Sequence, residues 1–253
     1  MMNIITSEFY KIFKSKVFYG VIAALLAFNA VFFLNMASFR YSSSYTAAEK
    51  SQWEMPGIMN YSSSFDADIT FYVILIFVAC LITAEYANSS IRQMACHGFA
   101  RWKLVVGQYI AMSIIITVLL IVFGLINTIM PTIWYGFGSV DAAAFLRMHL
   151  GLLCIIWAIS GLGTFLSYLI RNGGGTIGTC LILIMASNLG IQLIAYLTKN
   201  EEIIKYSLGN MRNVVLNLES TPHDVGFYSM IFIAIGIITV LGSCLIFTKR
   251  DVD

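Results

Sequence analysis

Charge is what this sequence has least of. Only 11% of its 253 residues are Asp, Glu, Lys or Arg, against about 25% in an average soluble domain. With 59% hydrophobic residues, the chain lacks the polar groups to cover its own surface in water. Its formal charges nearly cancel, at +2, so no electrostatic attraction to nucleic acid is expected.

Catalytic and metal-binding patterns are also missing. The five cysteines include no C-x-x-C pair; Cys80, Cys154, Cys180 and Cys244 lie in apolar runs and Cys96 in a polar stretch. That excludes a disulfide framework and gives no support to a zinc or redox site. No H-E-x-x-H and no G-x-x-x-x-G-K-S/T occurs anywhere, so neither metalloprotease chemistry nor nucleotide hydrolysis is expected of this chain. Ser160-Gly161 would need a histidine within reach to act as a nucleophile. His97, His149 and His223 all fall at or beyond the ends of apolar runs. No catalytic residue, metal ligand or bound cofactor is assigned.

What the sequence does have is length of apolar run. A helix crossing a ~30 Å hydrocarbon core needs roughly 20 apolar residues. Six segments qualify, at about residues 17–37, 69–87, 104–126, 145–170, 175–197 and 225–247. The mean hydropathy of the whole chain is +0.83. Within lipid every backbone polar group must be satisfied internally, so these runs read as helices. The expected fold is an all-α membrane protein with six transmembrane helices in a single domain over residues 1–253. The basic stretch before the first run could open a signal peptide. Asn35-Met36-Ala37 is a poor cleavage site, however, and the run is long enough to span.

The distribution of Lys and Arg sets the expected orientation. With the N-terminus inside, nine cations fall on inner segments and six on outer ones. Both termini are therefore expected in the cytoplasm, with two long outer loops at about 38–68 and 198–224.

Residues 3–16 carry Ile4, Ile5, Phe9, Ile12 and Phe13 at helical spacing. Glu8, Lys11 and Lys14 are expected largely on the other side, which reads as an amphipathic helix in the inner interface.

Between the second and third runs the chain reads Glu85-YANSSIRQMACHGFARWK, ending at Lys103. Glu85 sits near the inner end of an apolar helix, where a carboxylate is costly unless paired; Arg92 and Arg101 are the candidates, with Arg101 the expected partner. Asn88 and Ser89 offer cap chemistry. Ser90 to His97 reads as a short helix with Ile91, Met94 and Ala95 on one face, and Gly98 can stop it.

This arrangement resembles the permeases of type-2 ABC exporters. The matching residues are Glu85, Asn88-Ser89-Ser90-Ile91-Arg92, Gly98-Phe99-Ala100-Arg101, Gly107-Gln108 and the closing Phe247-Thr248-Lys249-Arg250-Asp251-Val252. The resemblance implies a coupling helix between spans two and three that docks on a separate ATPase subunit. Glu85, Ser90, Ile91, Arg92, Met94, Ala95, Gly98, Arg101 and Lys103 would form the coupling region. It also implies a second permease as partner, ATP and magnesium held by the ATPase, membrane lipid around the spans, and a bacterial plasma-membrane location. The implied cargo is an antimicrobial peptide, a drug or another amphipathic substrate. Ser187, Asn188 and Gln192 of span five are candidate lining of a substrate path. Gly174 and Gly178 form G-x-x-x-G, a spacing that permits close helix approach and suits a dimer contact. The competing readings are an ion- or proton-coupled secondary transporter and a non-transporting assembly factor.

Overall fold

The computed structural model describes residues 2–42, 46, 54–88 and 100–249. Within them the order is α1 (Met2–Lys14), α2 (Lys16–Tyr41), α3 (Gly57–Ser63), α4 (Ile69–Ala87), α5 (Arg101–Tyr135), α6 (Ala142–Ile170) and α7 (Gly173–Thr198). A 3-10 helix (Glu201–Tyr206), α8 (Leu208–Leu216) and α9 (Pro222–Lys249) complete it. The described residues contain no strand. Six helices, α2, α4, α5, α6, α7 and α9, are long and apolar enough to cross a membrane, as the apolar runs require.

Local chemistry sets the breaks. Ser15 alone separates α1 from α2; it is extended, and its hydroxyl accepts from Val17 N at 3.1 Å. Asp141 caps α6 by accepting from Ala144 N at 3.2 Å. Arg171 ends α6 in the left-handed region at φ 60°, and Asn172 starts α7 by accepting from Gly175 N at 3.0 Å. The turn between them is thus Arg171-Asn172, and the three glycines after it open α7.

α6 is the central helix, packed chiefly against α9 and α4. Ile155, Ile156 and Ile159 of α6 meet Ile74, Leu75 and Val78 of α4 and Phe232 of α9 in one buried cluster. At Gly236 a Cβ would lie 3.3 Å from the Cα of Ala158, so the α6–α9 crossing depends on a missing side chain. Several neutral polar side chains inside the bundle are satisfied at short range. Ser113 donates to the Ser160 hydroxyl at 2.9 Å, and Thr117, Thr164 and Ser167 each return to the carbonyl four residues back. By contrast α2, α7 and α9 leave broad apolar faces open, among them Leu34, Ile182, Leu189, Leu193 and Ile238. In lipid such faces cost nothing, because hydrocarbon tails are as apolar as Leu.

Two expectations change. The third span was expected at 104–126, but α5 runs 35 residues from Arg101 to Tyr135, about 52 Å of helix. Its C-terminal overhang is held by α3, whose Gly57 and Ile58 amides donate to the carbonyls of Gly136 and Phe137 at 3.0 and 2.9 Å. The loops expected at 38–68 and 198–224 are not open coil in their described parts. They fold into α3 on one side, and the 3-10 helix and α8 on the other, all at the bundle end opposite α1.

Candidate functional site

The polar residues that converge lie at the α1 end, where Glu85 closes α4. Lys11 of α1 donates to Glu8 Oε1 at 2.7 Å and to Glu85 Oε1 at 3.1 Å. The other oxygen of Glu85 accepts from the Gln108 amide of α5. Gln108 in turn accepts from the Tyr168 hydroxyl of α6. One connected chain of hydrogen bonds therefore ties α1, α4, α5 and α6. Glu8, Gln108 and Tyr168 are each at most 1% exposed, so each of these three depends on its neighbours in the chain for a partner.

The α1 helix reaches this position because of its stripe. Ile4, Glu8 and Ile12, spaced by four, are all buried, while Tyr10, Phe13 and Lys14 face outward. Glu8 was expected on the polar face with Lys11 and Lys14, and the structure corrects that. The helix is seated at Gly107 of α5, where a Cβ would lie 2.7 Å from Ile4 Cγ2. Burial would lower the Lys11 amine, but the charges of Glu85 and Glu8 and the hydrogen bonds to both outweigh it and hold the amine above its usual value. The stabilisation from a raised lysine is complete below the unfolded value of 10.5 and fades as pH rises through the folded one. A cavity of about 400 Å³ between α1 and α4 adjoins the network, bounded by Ser15, Leu81, Asn88 and Met112.

Arg101, the expected partner of Glu85, instead places Nη1 3.5 Å from the carbonyl of Thr248 at the end of α9. Lys11 takes its place because α1, packed on α5, brings that side chain within reach of the end of α4. Lys103 Nζ lies 5.6 Å from the centre of the Trp102 ring. Ser90, Ile91, Arg92, Met94, Ala95 and Gly98 lie outside the described residues, as does the whole of the expected coupling helix, Ser90 to His97.

The candidate path residues do not converge. The Ser187 hydroxyl donates back to Ile184 O at 2.7 Å, and Asn188 Oδ1 accepts from Gly209 N of α8 at 3.3 Å. Gln192 is exposed and borders a cavity of about 620 Å³ beside the 3-10 helix, with Tyr196, Lys199 and Glu201. Gly178 has nothing within 4 Å of a built Cβ, and Gly174 meets only Asn172 Oδ1 at 3.7 Å.

Sequence reasoning missed a second constellation, at the opposite end. Tyr61 of α3 and His149 of α6 lie 2.7 Å apart, oxygen to Nε2, with their rings stacked at 19°. His149 Nδ1 is 2.9 Å from the carbonyl of Phe145. A carbonyl only accepts, so Nδ1 carries the proton and Tyr61 donates to Nε2. Burial pushes the Tyr61 phenol up to about 12. Nearby, Arg212 of α8 donates to Asp68, at the start of α4, at 2.8 Å. No periodicity links residues so far apart, so these pairings left no sequence signal.

Among the described residues no group of three or more His, Cys, Asp or Glu is placed to hold a metal. Cys80, Cys154, Cys180 and Cys244 are free thiols. Helices of this length and apolarity define a multi-pass, all-helical membrane protein. Over residues 18–252 the chain matches the family described as protein of unknown function DUF2705, and it belongs to that family. The match takes in the long helices and leaves α1 outside. No curated protein matches the chain in sequence.

Proposed function

We propose that this chain is the membrane permease subunit of an ATP-driven exporter, working with a separate ATPase and a second permease. In this reading both termini face the cytoplasm, α1 lies along the inner membrane interface, and residues 89–99 contain the helix on which the ATPase docks. The cargo is an amphipathic molecule such as an antimicrobial peptide or drug. ATP and magnesium belong to the ATPase, and this chain carries no catalytic group.

The observation that supports the reading is the network around Glu85. The 89–99 connection is anchored by the ends of α4 and α5, and hydrogen bonds tie those ends to α1 and α6. A push on that connection would therefore reach four helices as one body, which is what a soluble motor needs in order to switch a bundle between two states. The secondary-transporter reading calls for ionisable groups deep in the membrane. Here Glu8, Lys11 and Glu85 cluster at one end of the bundle, which favours transmission over ion carriage.

The test is co-purification with an ATPase subunit, sought first in the neighbouring reading frames, together with an export assay. Ile91→Asp combined with Met94→Asp should abolish ATPase association while membrane insertion is retained. Glu85→Ala should leave association in place but uncouple hydrolysis from export. Normal association and export in the double variant would reduce the 89–99 stretch to a topological turn.

A further inference from the structure

We propose that α1 is a reversible strap across one end of the bundle, clasped by Lys11 between Glu8 and Glu85 and hinged at Ser15. The proposal concerns this chain alone and does not depend on the exporter reading.

The hinge is a single residue. α1 ends at Lys14, α2 begins at Lys16, and Ser15 between them is extended at φ −74°, ψ 134°. Its amide donates to Ile12 O at 3.0 Å and its hydroxyl caps α2, so rotation there leaves both helices whole.

The seat is shaped for α1. Gly107 leaves room for Ile4, and Ile12 is 2% exposed. The middle of the buried stripe, however, is not apolar. Glu8 sits where a leucine would hold the helix at least as firmly, because a buried ion pair seldom stabilises more than the apolar residues that could replace it. What the charge provides is conditionality. When Lys11 leaves, Glu8 is stranded in the seat, and docking becomes unfavourable. Lys11 is able to leave: its side chain is 34% exposed, and it borders the cavity of about 400 Å³ between α1 and α4. A released α1 also has a destination, since Tyr10 and Phe13 on its outer face are 62% and 51% exposed and suit a membrane interface.

The experiment uses the full chain in membranes, with its five native cysteines replaced. A Cβ on Gly107 would lie 3.5 Å from Ile4 Cβ, within the range a disulfide needs. Ile4→Cys with Gly107→Cys should therefore cross-link readily on mild oxidation. Adding Lys11→Met should slow the cross-link roughly tenfold or more, the size expected when one partner of a buried pair is removed. Lys11→Arg, which keeps a cation between the two carboxylates, should retain most of the rate. A second readout avoids altering the seat: Ile12→Cys alone, labelled with a maleimide, should react slowly, and roughly tenfold faster with Lys11→Met. Equal cross-linking and equal labelling with and without Lys11 would show that α1 is fixed by its apolar seat alone. Failure of the first pair to cross-link at all, with Ile12→Cys freely labelled, would show that α1 does not dock here.

Discussion

Asp68 and Arg212 stand 144 residues apart in sequence and 2.8 Å apart in space. Asp68 opens α4 and Arg212 sits on the short helix α8, so this contact ties the connection between α7 and α9 to the start of α4, beside the buried Met211, Val215 and Leu216. Arg212 is nearly enclosed, 4% exposed, lying over the Phe71 ring with its other nitrogens on Asn213 Oδ1.

That burial asymmetry makes a prediction. Asp68→Asn keeps the shape but leaves a buried guanidinium without its carboxylate. The cost should be about 1–3 kcal/mol, toward the lower end because Asp68 is 40% exposed. Arg212→Leu removes the buried charge and leaves an aspartate that water can reach. It should cost less than Asp68→Asn, although it is the larger chemical change. Thermal unfolding of the purified variants in detergent checks the order. A greater loss in Arg212→Leu would mean that the arginine's packing, and not its pairing, holds α8.

At the same end, Tyr61→Phe should cost about 1 kcal/mol by leaving His149 Nε2 without a donor. Tyr61→Ala should cost about 3–5 kcal/mol by emptying a position that is 2% exposed. The phenol also fixes a pH dependence. Its folded value, about 12, lies above the ordinary 10.0, so the folded state keeps the proton longer than the unfolded chain. The contribution is whole below pH 10 and is lost as pH climbs through about 12. The stability gap between wild type and Tyr61→Phe, followed by unfolding at stepped pH, should shrink over that window. A gap that stays constant to pH 12 would place the hydroxyl outside the folding linkage.

Gly178 offers a clean probe of the proposed pairing between two copies of this chain. A side chain added there meets nothing within 4 Å in the subunit. Gly178→Leu should therefore leave the single subunit folded, with helix propensity, if anything, improved by about 0.8–1 kcal/mol. If α7 carries the dimer contact, the same change should weaken pairing in native gels and by cross-linking. Pairing that survives Gly178→Leu would move the contact to another face, such as the open sides of α2 or α9.

The six long helices were legible because each depends only on its own composition. A run of apolar residues in lipid must be helical whatever its neighbours do, and α4 came out at 69–87 as read. The helix before the first span was legible for the same reason, from spacing alone. Which side of that helix faces inward was not. Amphipathic reading sends charged residues outward together, and it cannot see that Glu85 and Gln108 wait on the bundle end to receive Lys11 beside a buried Glu8. The partner of Glu85 was misplaced for a related reason. Arg101 is near in sequence, but Lys11, 74 residues away, is near in space once α1 packs on α5. α5 outran its apolar segment because α3 supplies hydrogen bonds and packing to a part of the helix that hydropathy alone would have ended. Tyr61 with His149 and Asp68 with Arg212 join elements that share no period and no motif. The sequence by itself determined which six runs form helices long and apolar enough to cross a membrane, and roughly where each begins. Tertiary packing decided which few polar side chains meet, because a buried polar group takes whatever partner the fold brings within about 3 Å.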